Sequence, residues 1–202
     1  MEARILSGHL VRLEPLTLGH VEGLVTAAGE NRDTYSFTTV PQGQDGVTAY
    51  VDEILAATTA GETIAFAQVR VADNAAVGVT RFLSFRRRPG ADLPYAVEIG
   101  GTWLAASAQR TGINVEAKLL LLTHAFDVWK LGRVDFKTDA RNARSRAAIA
   151  GVGASFEAVL RSWQPSHAIG EDGLLRDSAI YAIVASDWPS VRRDLHARLH
   201  DR

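Results

Sequence analysis

The chain has 202 residues, 47% hydrophobic and 22% charged, enough for one substantial core and ordinary for a globular domain. Its formal net charge of -1 gives no electrostatic case for nucleic acid or an anionic membrane as the main partner. The absence of cysteine excludes disulfides, thiolate metal sites and a cysteine nucleophile, and fits a reducing compartment. Met1–Leu10 has no apolar segment like a signal peptide, so the chain is expected to be unexported and cytoplasmic. No run approaches the roughly 20 apolar residues of a membrane span.

In chain order, His9–Leu16 alternates and predicts a first strand, and Thr17 is a plausible N-cap for a helix over Leu18–Ala28. A polar, turn-rich stretch from Gly29 to Gly46 carries Tyr35, Phe37 and Pro41. Val47, Tyr50/Val51 and Ile54/Leu55 have helical spacing, closed by Gly61. Thr63–Val71 and Val77–Phe85 read as a hairpin around Asp73-Asn74, and Tyr95–Leu104 as a further strand. Val115, Leu119, Leu122, Phe126 and Trp129 share one helical stripe. Arg133–Thr138 is a strand and Asn142–Ala150 a short helix. Ser155–Leu160 and Ser178–Val184 are strands, separated by a polar loop through Trp163, Pro165, His167 and Gly173. Asp187-Trp188-Pro189 opens a C-terminal helix. The order predicts one α/β domain over residues 1–202, on a mixed, mostly antiparallel sheet of about seven strands with a central parallel pair.

One stretch has the makings of a phosphate cradle. Gln109-Arg110-Thr111-Gly112-Ile113-Asn114 joins a strand to a strongly apolar helix. The first N–H groups of a helix lack internal partners and its dipole adds positive character, a pairing suited to a diphosphate. Gly112 permits close backbone approach, and Arg110 adds a full charge. The nucleoside-triphosphate loop ending Gly-Lys-Ser/Thr is absent, as is the three-glycine dinucleotide fingerprint. An ordinary strand-to-helix turn is the competing account.

With these elements in place, the sequence resembles the GNAT superfamily of N-acyltransferases. The closest likeness is to its RimJ/RimL-like branch of ribosomal-protein N-terminal acetyltransferases. The resemblance rests on "VRLEPL", "EIGGTWL", "TGINVEAKLLLLTHAF", "FKTDARNARSRAAIAGVGA" and "DSAIYAIVASDWP". It implies a sheet whose central parallel pair splays around an acyl-CoA site, with helices on both faces. The donor would be acetyl-CoA, with no metal, and the acceptor a primary amine on a protein N-terminus or a small molecule. A homodimer is possible on the same ground.

The resemblance also distributes roles. Backbone of Thr102, Trp103 and Leu104 would polarise the thioester, and Gln109–Asn114 would hold the pyrophosphate. Asn114 stands where the family usually has glycine or alanine, and would either cap the helix or crowd the phosphates. Asn142 would meet the pantetheine arm, with Ser145 and Ile149 on the same helical face. Arg146 could reach a phosphate; capping and solvation are equally open for Ser145 and Arg146. Glu98 would be the general base, against a simple solvated or paired carboxylate. Its direction depends on a bulge that Gly100-Gly101 invites. The family's late-helix tyrosine acid is missing, because that helix offers Ala147, Ala148, Ile149 and Ala150. Ser178 and Tyr181 are substitutes to test. Tyr35, Phe37 and Trp163 lie in loops the resemblance sets over the acceptor site. A larger acyl-CoA, a carrier-protein thioester, or acyl-CoA binding without turnover remain rival readings. His196 and His200 sit at i, i+4 without a third ligand, and Arg86-Arg87-Arg88 reads as a solvated basic turn.

Overall fold

Alternating strand patterns and two strong helical stripes meet in an eight-stranded sheet, ordered β1-β2-β3-β4-β5-β6-β8-β7. The computed structural model describes residues 3–200; Met1, Glu2, Asp201 and Arg202 lie outside them, and with Met1 and Glu2 part of the predicted unexported N-terminus. The strands are β1 Leu6–Ser7, β2 Val11–Pro15, β3 Thr63–Arg70, β4 Ala75–Arg87 and β5 Pro94–Leu104, then β6 Arg133–Asp139, β7 Ser155–Pro165 and β8 Leu175–Val184. The helices are α1 Val21–Gly29, α2 Gly43–Thr59, α3 Ile113–Thr123, α4 Ala143–Gly151 and α5 Trp188–His200. No described helix is long and apolar enough to cross a membrane.

The sheet of about seven strands expected has an eighth, β1, two residues long and too short to show an alternation. It forms because Glu116, buried in α3, accepts backbone N–H bonds from His9, Leu10 and Val11 at 2.8, 2.7 and 2.9 Å. These bonds satisfy the turn between β1 and β2. Other boundaries differ too: β4 runs on to Arg87, so Arg86 and Arg87 stand on a strand instead of in a solvated turn, and Arg86 pairs with Asp135. Strand β7 runs on to Pro165, so Trp163 stands on a strand instead of in a loop. Helix α3 passes into a π-helical turn over His124–Val128. That turn splits the predicted stripe: Phe126 stacks on Trp188 of α5 at 5.3 Å, whereas Trp129 packs on Phe82 of β4 at 4.7 Å.

Helices α1 and α2 pack on β4 and β3, and α3 packs with α5 and against β2. The two groups cover opposite faces. One parallel pair, β5 with β6, lies at the centre; every other pairing is antiparallel. The core between the layers is built from Leu13, Phe66, Phe82, Leu121, Leu122 and Phe136, all essentially inaccessible. At about 25 cal/mol per Å² of apolar surface removed from water, such side chains supply most of the driving force for folding.

Candidate active site

The parallel pair is held by three residue pairs only: Ala96 with Arg133, Val97 with Val134, and Glu98 with Asp135. Beyond Glu98 the strands part. The rest of β5 follows β4, and the rest of β6 follows β8. A parallel ladder that stops early leaves two strand edges facing a gap, with backbone groups available to a ligand.

A bulge shapes the β5 side of that gap. Val79 pairs with Trp103 and Arg81 with Gly100, so β5 carries one residue too many between them. Gly101 takes φ +55°, a left-handed conformation that glycine adopts without the Cβ cost. The bulge inverts the alternation. Glu98 and Gly100 face the α1/α2 side, with Glu98 Oε1 2.9 Å from where a Cβ on Gly100 would stand. After the bulge, Thr102 points to the α3 side, and its hydroxyl accepts a bond from Lys118 Nζ at 2.7 Å. Trp103 returns to the α2 side, donating to Tyr50 Oη at 3.2 Å.

Glu98 is buried at the vertex of the gap, 3.0 Å from Lys137 Nζ and 3.3 Å from Ser84 Oγ. The Leu104 carbonyl turns away from β4, since the next N–H, of Ala105, bonds Val77. It accepts from Tyr35 Oη at 3.0 Å and Gln109 Nε2 at 2.9 Å. Tyr35 is therefore a buried plug at the end of β5, edge-on to Trp103, and burial raises its pKa. It is not a surface group of the acceptor loop.

The predicted cradle has the expected form. Gly112 is the N-cap of α3 at φ 99°, with no side-chain cap bond. The Thr111 hydroxyl donates to the Ala108 carbonyl at 2.7 Å and lies 3.5 Å from the Ile113 N–H. Asn114 does not cap the helix. The opening of α3 thus keeps its anion-binding N–H groups beside the end of β5.

Across the gap, Asn142 caps α4 by accepting from Ser145 N–H at 2.9 Å. Ile149 is buried and Ser145 half-buried on this helix. Arg146 does not reach toward the cradle: it donates to Tyr181 Oη at 3.0 Å and the Ala140 carbonyl at 3.1 Å, and lies over Phe156. Arg144 is the residue of α4 that turns toward the cradle: it donates to Gln109 Oε1 at 3.4 Å and to the Thr34 carbonyl. Sequence reasoning missed it because two residues apart on a helix point in nearly opposite directions.

Tyr181 pairs with Phe136 on the α4 face, so it and Glu98 occupy opposite faces of the sheet. It is a core residue edge-on to Phe156. Ser178 pairs with Asp139 on Glu98's face and is fully buried. Trp163 is 55% exposed on the outermost strand, away from the gap. Phe37 lies under the Arg141 guanidinium at 5.3 Å, and Arg141 also pairs with Asp139 and Glu171 at 2.7 Å. Those bonds lower the pKa of Asp139 and hold Glu171 down at about 2. Thr39 meets His167 Nδ1 at 3.1 Å. Together these contacts link the α1–α2 loop to the β7–β8 loop over the acceptor side.

The residues present fit an acyl-CoA: an anion-ready helix start, an unpaired edge of β5 of suitable length, and a buried carboxylate at the vertex. No group of three or more His, Asp or Glu among the described residues could hold a metal ion.

Comparisons agree. A GNAT acetyltransferase domain matches residues 11–155. A GCN5-related N-acetyltransferase from Brucella melitensis superposes with TM-score 0.82 at 26% identity, covering 98% of this chain and 86% of that one. RimJ of Mycobacterium smegmatis, in complex with CoA-disulfide, has TM-score 0.74 at 23% identity, covering 96% and 91%. An acetyl transferase from Salmonella typhimurium that modifies the N-terminal serine of a 50S ribosomal subunit protein has TM-score 0.72 at 20% identity, covering 90% and 99%. Among curated protein sequences none matches the chain. The last two likenesses, below 25% identity, are of fold. Family model, splayed strands and helix-start cradle lead to one conclusion: the chain belongs to the GNAT acetyltransferase family and is an acyl-CoA-dependent N-acyltransferase.

Proposed function

We propose that the protein transfers an acetyl group from acetyl-CoA to a primary amine, on a protein N-terminus or a small molecule, by direct attack. The observation that carries this reading is the parting of β5 from β6 immediately after the buried Glu98. Phosphates are held by the N–H groups opening α3, with Arg144 at the rim. The pantetheine arm lies along the edge of β5 that β6 leaves unpaired after Glu98. A backbone N–H beside the bulge donates to the thioester oxygen as charge develops there. The amine forms the new C–N bond as the C–S bond breaks, and Glu98 takes the amine proton directly or through one water. The sulfur leaves as the thiol form of coenzyme A after protonation from solvent. Tyr181 lies on the face of the sheet opposite Glu98 and Ser178 Oγ has no hydrogen-bond partner among the described residues, so neither is assigned the acid role.

Thiol release with a panel of primary amines tests this. Glu98→Gln is expected to slow turnover about a hundredfold or more with little change in acetyl-CoA affinity. An unchanged rate in that variant removes Glu98 as base. No turnover with any amine sinks the reading.

A further inference from the structure

The acceptor side of the gap contains two arginines, Arg81 and Arg176, that form no ion pair with an acid among the described residues. Register places Glu98, Gly100, Lys137, Asp139, Arg81, Arg176 and Ser178 on one face of the sheet. The acids there are engaged: Glu98 by Lys137 and Ser84, and Asp139 by Arg141. The Arg81 side chain makes no hydrogen bond or ion pair among the described residues, and its guanidinium comes so close to Gly101 that any Cβ there would collide with it. Arg176 has one bond, to Gln164 Oε1 at 3.3 Å. Burial works against its charge, which Asp139 and Glu98 partly offset.

Four buried side-chain polar atoms among the described residues lack a partner. Three of them, Arg81 Nε, Arg176 Nε and Ser178 Oγ, belong to this face. Buried donors are normally satisfied, so three orphans on one face of the sheet, on either side of the gap, mark groups completed by something else. Two guanidiniums and a hydroxyl suit an oxyanion, which a guanidinium grips through two parallel N–H bonds. The bulge gains a second consequence: the glycine that distorts β5 also clears the space Arg81 occupies.

We infer that the acceptor carries an oxyanion, carboxylate or phosphate, close to its amine, and that Arg81 and Arg176 receive it while the amine faces Glu98. This rests on the amine-acylation reading above and narrows its substrate class. Such an acceptor is drawn in by the two cations and oriented before attack, a steering that a neutral amine lacks.

Short ω-amino acids from glycine to aminohexanoate are compared with their primary amides and with O-phosphorylated amino alcohols of matched length. Binding to the coenzyme A-loaded protein is measured by calorimetry, and turnover by thiol release. At one length or more, the acid or the phosphate ester is expected to bind at least about tenfold more tightly than the neutral analogue. Preference for one over the other identifies the anion. Arg81→Gln and Arg176→Gln are each expected to bring the ratio toward one, with Arg81→Lys retaining part of it. Amides that bind as well as acids at every length overturn the inference, and this comparison needs no variant. So do variants that weaken acid and amide equally or change only the acetyl-CoA KM. Acid-selective binding without turnover sustains the anion site and removes the acylation reading instead.

Discussion

The Glu98 carboxylate and the Lys137 ammonium meet 3.0 Å apart where β5 and β6 separate, both nearly buried. Removing one member of such a pair leaves the other charge buried and alone. Lys137→Met is therefore expected to cost about 3 kcal/mol in unfolding free energy. Lys137→Met with Glu98→Gln should recover most of that loss while remaining inactive. Urea unfolding of the two single variants and the double variant, read beside thiol release, checks this. Additive losses in the double variant would show that the two groups do not depend on each other.

Glu116 gathers three backbone N–H groups at the turn into β2. Glu116→Ala strands all three and is expected to lower stability by several kcal/mol, at roughly 1 kcal/mol or more for each buried donor left unpaired. Gly8→Ala should act through the same spot, since a Cβ there collides with the Glu116 carboxylate. Thermal denaturation is expected to show the pair losing less together than the sum of the single losses.

Lys118 is buried among hydroxyls, bonded to Thr80 at 3.1 Å and Thr102 at 2.7 Å, with no acid beside it. Burial lowers its pKa from 10.5 to about 7. An unfolded chain keeps this lysine protonated up to about pH 10.5, whereas the folded protein releases the proton from about pH 7. Between those values the unfolded state binds more protons, so stability rises with pH; below about 7 the full cost of a buried charge is present. Lys118→Met should flatten that rise and exceed the parent protein in stability most clearly at pH 6. Denaturant titrations from pH 6 to 9 decide it, and parallel pH profiles for the two proteins would count against the assignment.

At Gly112 the chain enters α3 with φ 99°. Gly112→Ala forces a Cβ into that conformation, at a cost of about 1–2 kcal/mol. The same change crowds the cradle, so coenzyme A should bind more weakly by calorimetry. Affinity equal to that of the parent protein would mean the phosphates lie elsewhere.

Much of this architecture was legible before any coordinates. Alternation marked seven of the eight strands, and the glycine turn before a strongly apolar helix marked the cradle. What stayed hidden depends on geometry that residue spacing does not carry. The direction of Thr102 follows from one extra residue in β5, which inverts every side chain after it. Arg146 and Arg144 look equivalent in a string, yet the helix turns one to Tyr181 and the other to Gln109. Trp163 read as a loop residue because a positive φ at Ser162 and a register shift interrupt β7 around it. The partners of Arg81 and Arg176 could not be read at all, since only the packed sheet shows that they have almost none.

Among the described residues, three ladder pairs and the bond from Gly132 N–H to the Tyr95 carbonyl form the backbone seam between β1–β5 and β6–β8. The sheet is in effect two leaves on a short hinge, with segments before residue 105 on one and after residue 132 on the other. On the acyl transfer proposed above, a donor lodged in the gap would touch both leaves and fasten them where the hydrogen-bond ladder does not. Amide hydrogen exchange in both leaves should therefore slow together when coenzyme A binds, although no strand on the outer edges touches it.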